Sequence, residues 1–254
     1  MTSKTHSGGR LQGQVALVTG ATGDIGLATC HALSAEGANV AVAVRTLHRA
    51  EALARELEKT YGTRPLAIEM DVTHPTAASN MSEKLLKNYR RIDLIVNNAG
   101  VMHMDQLLDA DVEQFRDTIT TNIAGPFLVA RALINEMMQV RHGTIINIAA
   151  MAGLTGAPFL SAFCASKAAL VSLTQSWGEE LADNNIRVYA LCPDVVDTAS
   201  MRELMDLSSV DALTPEAVAA RIVALACGDE THKSGSIVTM EVAAPGSGAT
   251  SNAG

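Results

Sequence analysis

Apolar positions along this chain alternate between two periods. Short runs rich in β-branched residues, such as V-A-L-V-T at Val15 to Thr19 and N-V-A-V-A-V at Asn39 to Val44, read as buried strands. Further runs of this kind lie at Leu66 to Met70, Ile92 to Val96, Thr144 to Ile148, Ile186 to Leu191 and Ser236 to Val242. Between them the spacing changes to that of helices: one starting near Ile25, then Leu47 to Tyr61, Thr76 to Tyr89, a long one over Val112 to Val140, and one from Ser161 to about Asp183. A loop with a short helix is expected over Pro193 to Leu213. The last helix opens at Thr214-Pro215-Glu216, where the threonine caps and the proline sits in the first turn. Alternating strands and helices predict an α/β fold, a doubly wound parallel sheet of about seven strands with helices on both faces. The pattern marks 11–242 as a single domain, with a polar flexible N-terminus at 1–10 and a small-residue flexible tail at 243–254.

Composition narrows the classes of function. At 254 residues and 48% hydrophobic content, the chain can bury about three-quarters of its unfolded surface. Its 19 basic and 27 acidic side chains leave a net charge of −8, which argues against nucleic acid or an anionic membrane surface as partner. No run is long and apolar enough to span a bilayer, and Met1 to Gly9 carry no apolar core of a secretory signal. Cys30, Cys164, Cys192 and Cys227 are far apart with no C-x-x-C pair, so they are expected to be reduced thiols in a cytoplasmic protein. The seven histidines show no metal-ligand spacing.

Candidate chemistry centres on Asn147 to Lys167, which reads N-I-A-A-M-A-G-L-T-G-A-P-F-L-S-A-F-C-A-S-K. This stretch resembles the catalytic segment of the short-chain dehydrogenase/reductase (SDR) superfamily, whose single domain is a Rossmann fold. In that family a serine follows the central strand, a tyrosine lies thirteen residues on, and a lysine stands four further. Counted back from Lys167, the tyrosine position is Phe163 and the serine position is Ala150. The resemblance implies hydride transfer between a nicotinamide and a carbonyl or alcohol carbon, with the tyrosine hydroxyl moving the proton. A positioned acid or base of this kind is worth about 10²–10⁴-fold. Phe163 keeps the ring without the hydroxyl, and Ala150 offers a methyl group. Asn122, in T-N-I-A-G-P-F, falls where the family holds a relay water, and it equally suits a hydrogen-bonded kink in the long helix.

The nucleotide half of the resemblance is divided. The first turn, Thr19-Gly20-Ala21-Thr22-Gly23-Asp24-Ile25-Gly26, matches the family's T-G-x-x-x-G-x-G at Gly20 and Gly26 but has Asp24 at the middle glycine. That glycine lets backbone N–H groups approach a pyrophosphate at the helix N-terminus. A carboxylate about 4 Å from a phosphate oxygen at an effective dielectric of 20 repels it by ~4 kcal/mol. Asp24 can also be a plain helix N-terminal acid, which the dipole favours. Arg45 stands where NADP(H)-preferring relatives place an arginine on the 2′-phosphate, and Asp71 matches the acid used at the adenine. Asn97-Asn98-Ala99-Gly100 matches the family's N-N-A-G in full, with Asn98 beside the adenosine half. The segment Tyr189 to Thr198 keeps Pro193 and Thr198 but has Asp194 for the glycine near the nicotinamide.

Framework motifs thus persist from Leu11 to Val242 while groups that would touch cofactor or substrate are altered. The expected function is a catalytically inactive SDR-like subunit (a pseudoenzyme) that pairs with a homologous active SDR subunit in a hetero-oligomeric alcohol dehydrogenase, with a hydroxyacyl-CoA as one substrate class. It would bind no cofactor or bind one weakly, NADP(H) if any. The resemblance implies a dimer or tetramer through the helices at 112–140 and 161–183 and the strand at 236–242. The alternative is an atypical SDR enzyme of biosynthesis, either an NADP(H)-dependent ketoreductase with a non-standard proton donor or a non-redox cyclase or isomerase. There His103 is the substitute base, and Asp194 pairs with Lys167 or serves as an acid.

Overall fold

The structure, a computed structural model, describes residues 9–242 apart from 209 and 231. The expected flexible stretches at 1–8 and 243–254 lie outside the described residues. Gly9 and Arg10 belong to the folded unit: the Arg10 guanidinium donates to Glu36 at 2.6 Å and to Asp229, tying the start of the domain to two helix ends.

Seven parallel strands form one sheet in the order β3-β2-β1-β4-β5-β6-β7. They are β1 (Val15–Thr19), β2 (Asn39–Val44), β3 (Leu66–Glu69), β4 (Leu94–Asn97), β5 (Gly143–Ile148), β6 (Ile186–Pro193) and β7 (Ile237–Met240). The chain steps outward from β1 to β3, then returns across β1 to build the other half from β4. That reversal between β1 and β4 is the topological switch point, where the crevice beyond the strands' carboxyl ends receives ligands in folds of this class. The doubly wound Rossmann sheet is the fold expected from the alternating periods.

Helices cover both faces, and strand alternation distributes the core between them. Ala16 and Val18 of β1 pack with Leu33 of α1 (Asp24–Ala35), Leu53 and Leu57 of α2 (Leu47–Tyr61) and Ile222. Val15 and Leu17 face the other way, with Met81 and Leu85 of α3 (Pro75–Tyr89) and, further along, Leu133 and Met137. Each of the valine, leucine, isoleucine and methionine side chains, fully buried, is worth ~1.5–3 kcal/mol in transfer free energy. Later helices are α4 (Val112–Ile119), α5 (Gly125–Val140), α6 (Ala152–Thr155), α7 (Ser161–Glu180), α8 (Ala199–Leu204) and α9 (Pro215–Cys227). Thr214 caps α9 as expected, its Oγ1 accepting from the Ala217 N–H at 3.1 Å.

The continuous helix expected over Val112 to Val140 is broken. Thr120–Ala124 forms a π-helical turn between α4 and α5. The Asn122 side chain turns inward there to bond the backbone of Val101. Gly125 also lies so close to Val72 that an added Cβ would meet its Cγ2 at 2.9 Å. Pro126 lacks an N–H, so the ladder loses a bond at the same place. Helix α7 ends at Glu180 rather than Asp183, followed by a 3₁₀ turn at Ala182–Asn184.

Candidate functional site

The crevice is built at the carboxyl ends of β1, β4, β5 and β6. On the nucleotide side, Gly20 adopts φ +62°, and a Cβ on Gly26 would lie 2.2 Å from the Gly20 carbonyl oxygen, so the turn needs both glycines. Asn98 locks this turn to β4: its Nδ2 donates to the carbonyls of Thr19 and Gly20 at 3.0 and 3.1 Å, and its own N–H donates to Thr19 Oγ1 at 3.1 Å. Arg45 is exposed at the end of β2. Burial pushes the Asp71 carboxyl up, but hydrogen bonds from Thr73 Oγ1 and N–H at 2.7 and 2.9 Å outweigh it. With His74 and Arg45 nearby, the carboxyl is held below its usual range.

Asp24 opens α1 and does more than decorate the helix end. Its Oδ2 accepts the N–H of Ala199 at 2.6 Å, joining the β1–α1 turn to the first residue of α8 across 175 positions of sequence. Thr198 is engaged in the same place, its Oγ1 accepting from the Met201 N–H at 3.2 Å as the cap of α8. Asp194 is exposed and accepts from the Val195 N–H at 2.9 Å. It does not pair with Lys167, contrary to that expectation, because its carboxylate turns back onto its own loop.

Lys167 sits on α7, buried, and donates from Nζ to the carbonyl of Ile148 at the end of β5, at 2.7 Å. Phe163 lies one turn earlier on the same face, with Nζ 5.5 Å from its ring centroid, within range of a cation–π contact. Burial lowers the ammonium's pKa to about 8. Ala150 is half-buried and carries nothing polar on its side chain. Asn122, on the π-turn, accepts through Oδ1 from Val101 N–H at 2.8 Å and uses both Nδ2 hydrogens, donating to Val101 O at 2.9 Å and Ser166 Oγ at 3.0 Å. These bonds tie the π-turn to the chain after β4 and to α7.

Three participants have no signal of their own in the sequence. Ser166 is fully buried, accepts from Asn122 and donates to the Phe163 carbonyl at 2.7 Å, so it couples the π-turn to α7. Asp117 places Oδ2 3.7 Å from His103 Nε2 and accepts from Thr121 Oγ1 at 3.2 Å through Oδ1. That Nε2 is buried and makes no hydrogen bond. Cys192, on β6, is the titratable neighbour of Lys167; burial pushes its thiol up to about 11. Among the described residues no group of three or more His, Cys, Asp or Glu side chains is placed to hold a metal ion, and no helix is long and apolar enough to cross a membrane.

A parallel sheet reversing between β1 and β4, with the glycine turn, the N-N-A-G tie and a buried lysine one helical turn beyond an aromatic ring, defines a dinucleotide-fold oxidoreductase class. The family model for short chain dehydrogenases matches residues 14–207, and the chain belongs to the short-chain dehydrogenase/reductase family. The 3-oxoacyl-(acyl-carrier-protein) reductase FabG of Thermotoga maritima is 31% identical over 241 residues, covering 91% of this chain and 98% of that protein. A short-chain type dehydrogenase/reductase from Mycobacterium marinum superposes with a TM-score of 0.85 at 32% identity, over 91% of this chain and 95% of that one. NAD+-bound xylitol dehydrogenase superposes with a TM-score of 0.84 at 26% identity, over 91% of this chain and 98% of that one.

Proposed function

We propose that this chain is an SDR subunit without redox turnover of its own, which assembles with a homologous, catalytically complete SDR chain into an alcohol dehydrogenase or ketoreductase. The observation that carries the reading is the Asp24–Ala199 bond. A carboxylate fills the space between the N-termini of α1 and α8, where a nicotinamide dinucleotide would bring its pyrophosphate. The adenosine half of such a cofactor still fits: Gly20, Gly26, Asn98 and Asp71 are in place, and Arg45 suits the 2′-phosphate of NADP(H). The pyrophosphate half does not fit beside Asp24, so NADP(H) binding is weak. Phe163 and Ala150 supply no proton donor and no hydroxyl to hold a substrate oxygen. Apolar side chains left exposed on α4 and α5, among them Val112, Phe115, Phe127 and Val140, together with Ile237 on β7, support subunit packing through those elements.

The test is calorimetric titration of the purified chain with NADPH and NADH, with its mass in solution recorded, followed by co-purification with a homologous chain that carries the serine, tyrosine and lysine. Restoring Phe163→Tyr with Ala150→Ser is expected to leave turnover undetectable while Asp24 remains. Clear turnover by that double variant alone would sink the reading.

A second reading, an atypical enzyme, is favoured by one observation. The Asp117 carboxylate stands 3.7 Å from His103 Nε2, short of a hydrogen bond but within a small side-chain rotation of one that would orient an acid–base histidine. It predicts activity from this chain alone that is lost in His103→Ala.

A further inference from the structure

We propose that Tyr61 is a nucleophilic phenol, an acyl-acceptor site for small activated esters, with His31 as its general base and Glu56 orienting that base. His31 lies two turns into α1, and Tyr61 is the last residue of α2, just before Gly62 ends that helix in the left-handed region at φ +69°. Packing of α1 against α2 brings the Tyr61 hydroxyl to 3.2 Å from His31 Nδ1. At the ring's other nitrogen, the Glu56 carboxylate stands 3.5 Å from Nε2. A carboxylate on that side favours the tautomer with its proton on Nε2, which leaves Nδ1 to accept the hydrogen bond that the phenol donates. The two rings meet edge to face with centroids 5.8 Å apart, an arrangement that fixes their relative orientation.

Both rings wall an open groove of about 430 Å³ between α1 and α9, so a small molecule reaches them from solvent. The groove is mainly apolar, with Leu27, Ala32 and Ala220 in its lining, which suits a short aliphatic or aromatic acyl group. Asp24 and Glu216 stand at its other end, ~10 Å along α1 from His31, and disfavour an anionic donor. The substrate class is therefore a neutral or cationic activated ester. The chain's other two tyrosines supply the contrast. Tyr89 donates to the Arg64 carbonyl, and burial pushes its phenol up to about 12. Tyr189 is fully buried and donates to the His232 carbonyl at 3.3 Å. A carbonyl oxygen is no base for a phenolic proton, whereas an imidazole nitrogen is.

In the step, the phenolic oxygen bonds to the acyl carbon as its proton passes to His31 Nδ1, and the carbonyl π pair moves to oxygen. Return of that pair expels the leaving alcohol, which takes the proton from Nδ1, and an aryl ester remains on Tyr61. Nothing is oxidised or reduced, and neither a nicotinamide nor a second subunit takes part. Acylation therefore stands or falls apart from the redox-inactive reading above.

The experiment treats the native chain with p-nitrophenyl butyrate near pH 7, and peptide mass mapping follows butyryl groups on each tyrosine. Hydroxylamine releases the aryl esters and spares acylated lysines, which confirms the site. A positioned base is worth about 10²–10⁴-fold, so Tyr61 is expected to acylate at least ~10-fold faster than Tyr89. His31→Phe keeps an aromatic edge against Tyr61 and removes the base; it is expected to slow Tyr61 at least ~10-fold and leave Tyr89 unchanged. Acylation of Tyr61 at or below the rate of Tyr89 would overturn the proposal, as would an undiminished Tyr61 rate in the His31→Phe chain. Glu56 is 59% exposed, so Glu56→Gln leaves the fold intact. That variant is expected to slow Tyr61 several-fold, and an unchanged rate would remove Glu56 from the arrangement. Ala32→Phe fills the groove and is expected to slow Tyr61 alone; full-speed acylation in that folded chain would show that the groove is not the route.

Discussion

Replacing Asp24 by asparagine keeps the shape of the side chain and removes its charge, which isolates the electrostatic part of the proposed weakening of nucleotide binding. A phosphate oxygen seated on the α1 N-terminus would lie about 4 Å from the Asp24 carboxylate, where two unit charges repel by ~1 kcal/mol in water and ~4 kcal/mol at an effective dielectric of 20. Asp24 is exposed, and Arg202 lies near enough to feel its charge, so solvent and that cation draw the penalty toward the middle of the range. About 2 kcal/mol, or ~30-fold in affinity, is the expected effect. The amide oxygen of the substituted side chain can still accept from Ala199 N–H, though a neutral acceptor makes a weaker bond than a carboxylate. The turn therefore survives the change. Titration calorimetry with NADPH at low ionic strength should show the Asp24→Asn chain binding ~30-fold more tightly than the parent. That ratio should shrink as salt is raised, since the pair is exposed to screening. Equal dissociation constants for the two chains, within about twofold, would refute the charge argument. Micromolar binding by the parent would show that Asp24 leaves room for the pyrophosphate.

Three further changes probe other parts of the structure. Gly26→Ala forces a Cβ to within 2.2 Å of the Gly20 carbonyl and 2.9 Å of Ala21 Cα, both backbone atoms. It should destabilise by at least ~1–3 kcal/mol and lower Tm by several degrees in a thermal melt. Lys167→Met removes a buried amine whose pKa burial lowers to about 8. Because the unfolded lysine holds its proton up to about pH 10.4, the native lysine is a destabilising group below about pH 8 and becomes harmless as pH rises toward the unfolded value. The methionine variant should thus gain ~1–2 kcal/mol at pH 7, after allowance for the orphaned Ile148 carbonyl, and lose that gain by about pH 10. A gain independent of pH in denaturant titrations would contradict the assignment. Thr214→Ala removes the α9 cap and should cost about 1 kcal/mol, read as a lower urea midpoint with an unchanged slope.

Fold and site were legible in the chain to different depths. Strands such as Val40 to Val44 are apolar at every position because helices cover both faces of the sheet, so their identity needs only local composition. The interruption of the helix at Thr120–Ala124 left a trace in Gly125-Pro126, but its cause is the Val101 backbone, brought alongside Asn122 by the turn of chain after β4. Motif register put Ala150, Asn98 and Asp24 just beyond strand ends that the hydrophobic pattern marks, and Phe163 and Lys167 on the long helix α7. It did not anticipate what those side chains hold. Asp194 lies near in the register and still turns away from Lys167, satisfied by the N–H of the next residue.

Motif resemblance pointed to the family; local physics, written in the order of residues, determined the α/β class, the seven strands and the glycine turn. Those features depend on periodicity and on spacing within a few turns of chain, and both survive without knowledge of what packs where. Tertiary structure alone decided that Asp24 would find Ala199 from 175 residues away, that Asp117 would stand beside His103, and that Lys167 would be buried with a carbonyl and an aromatic ring for company. Hydrogen bonds and desolvation depend on separations of a few ångströms between elements remote in sequence, and only the closed sheet with its helices sets those separations.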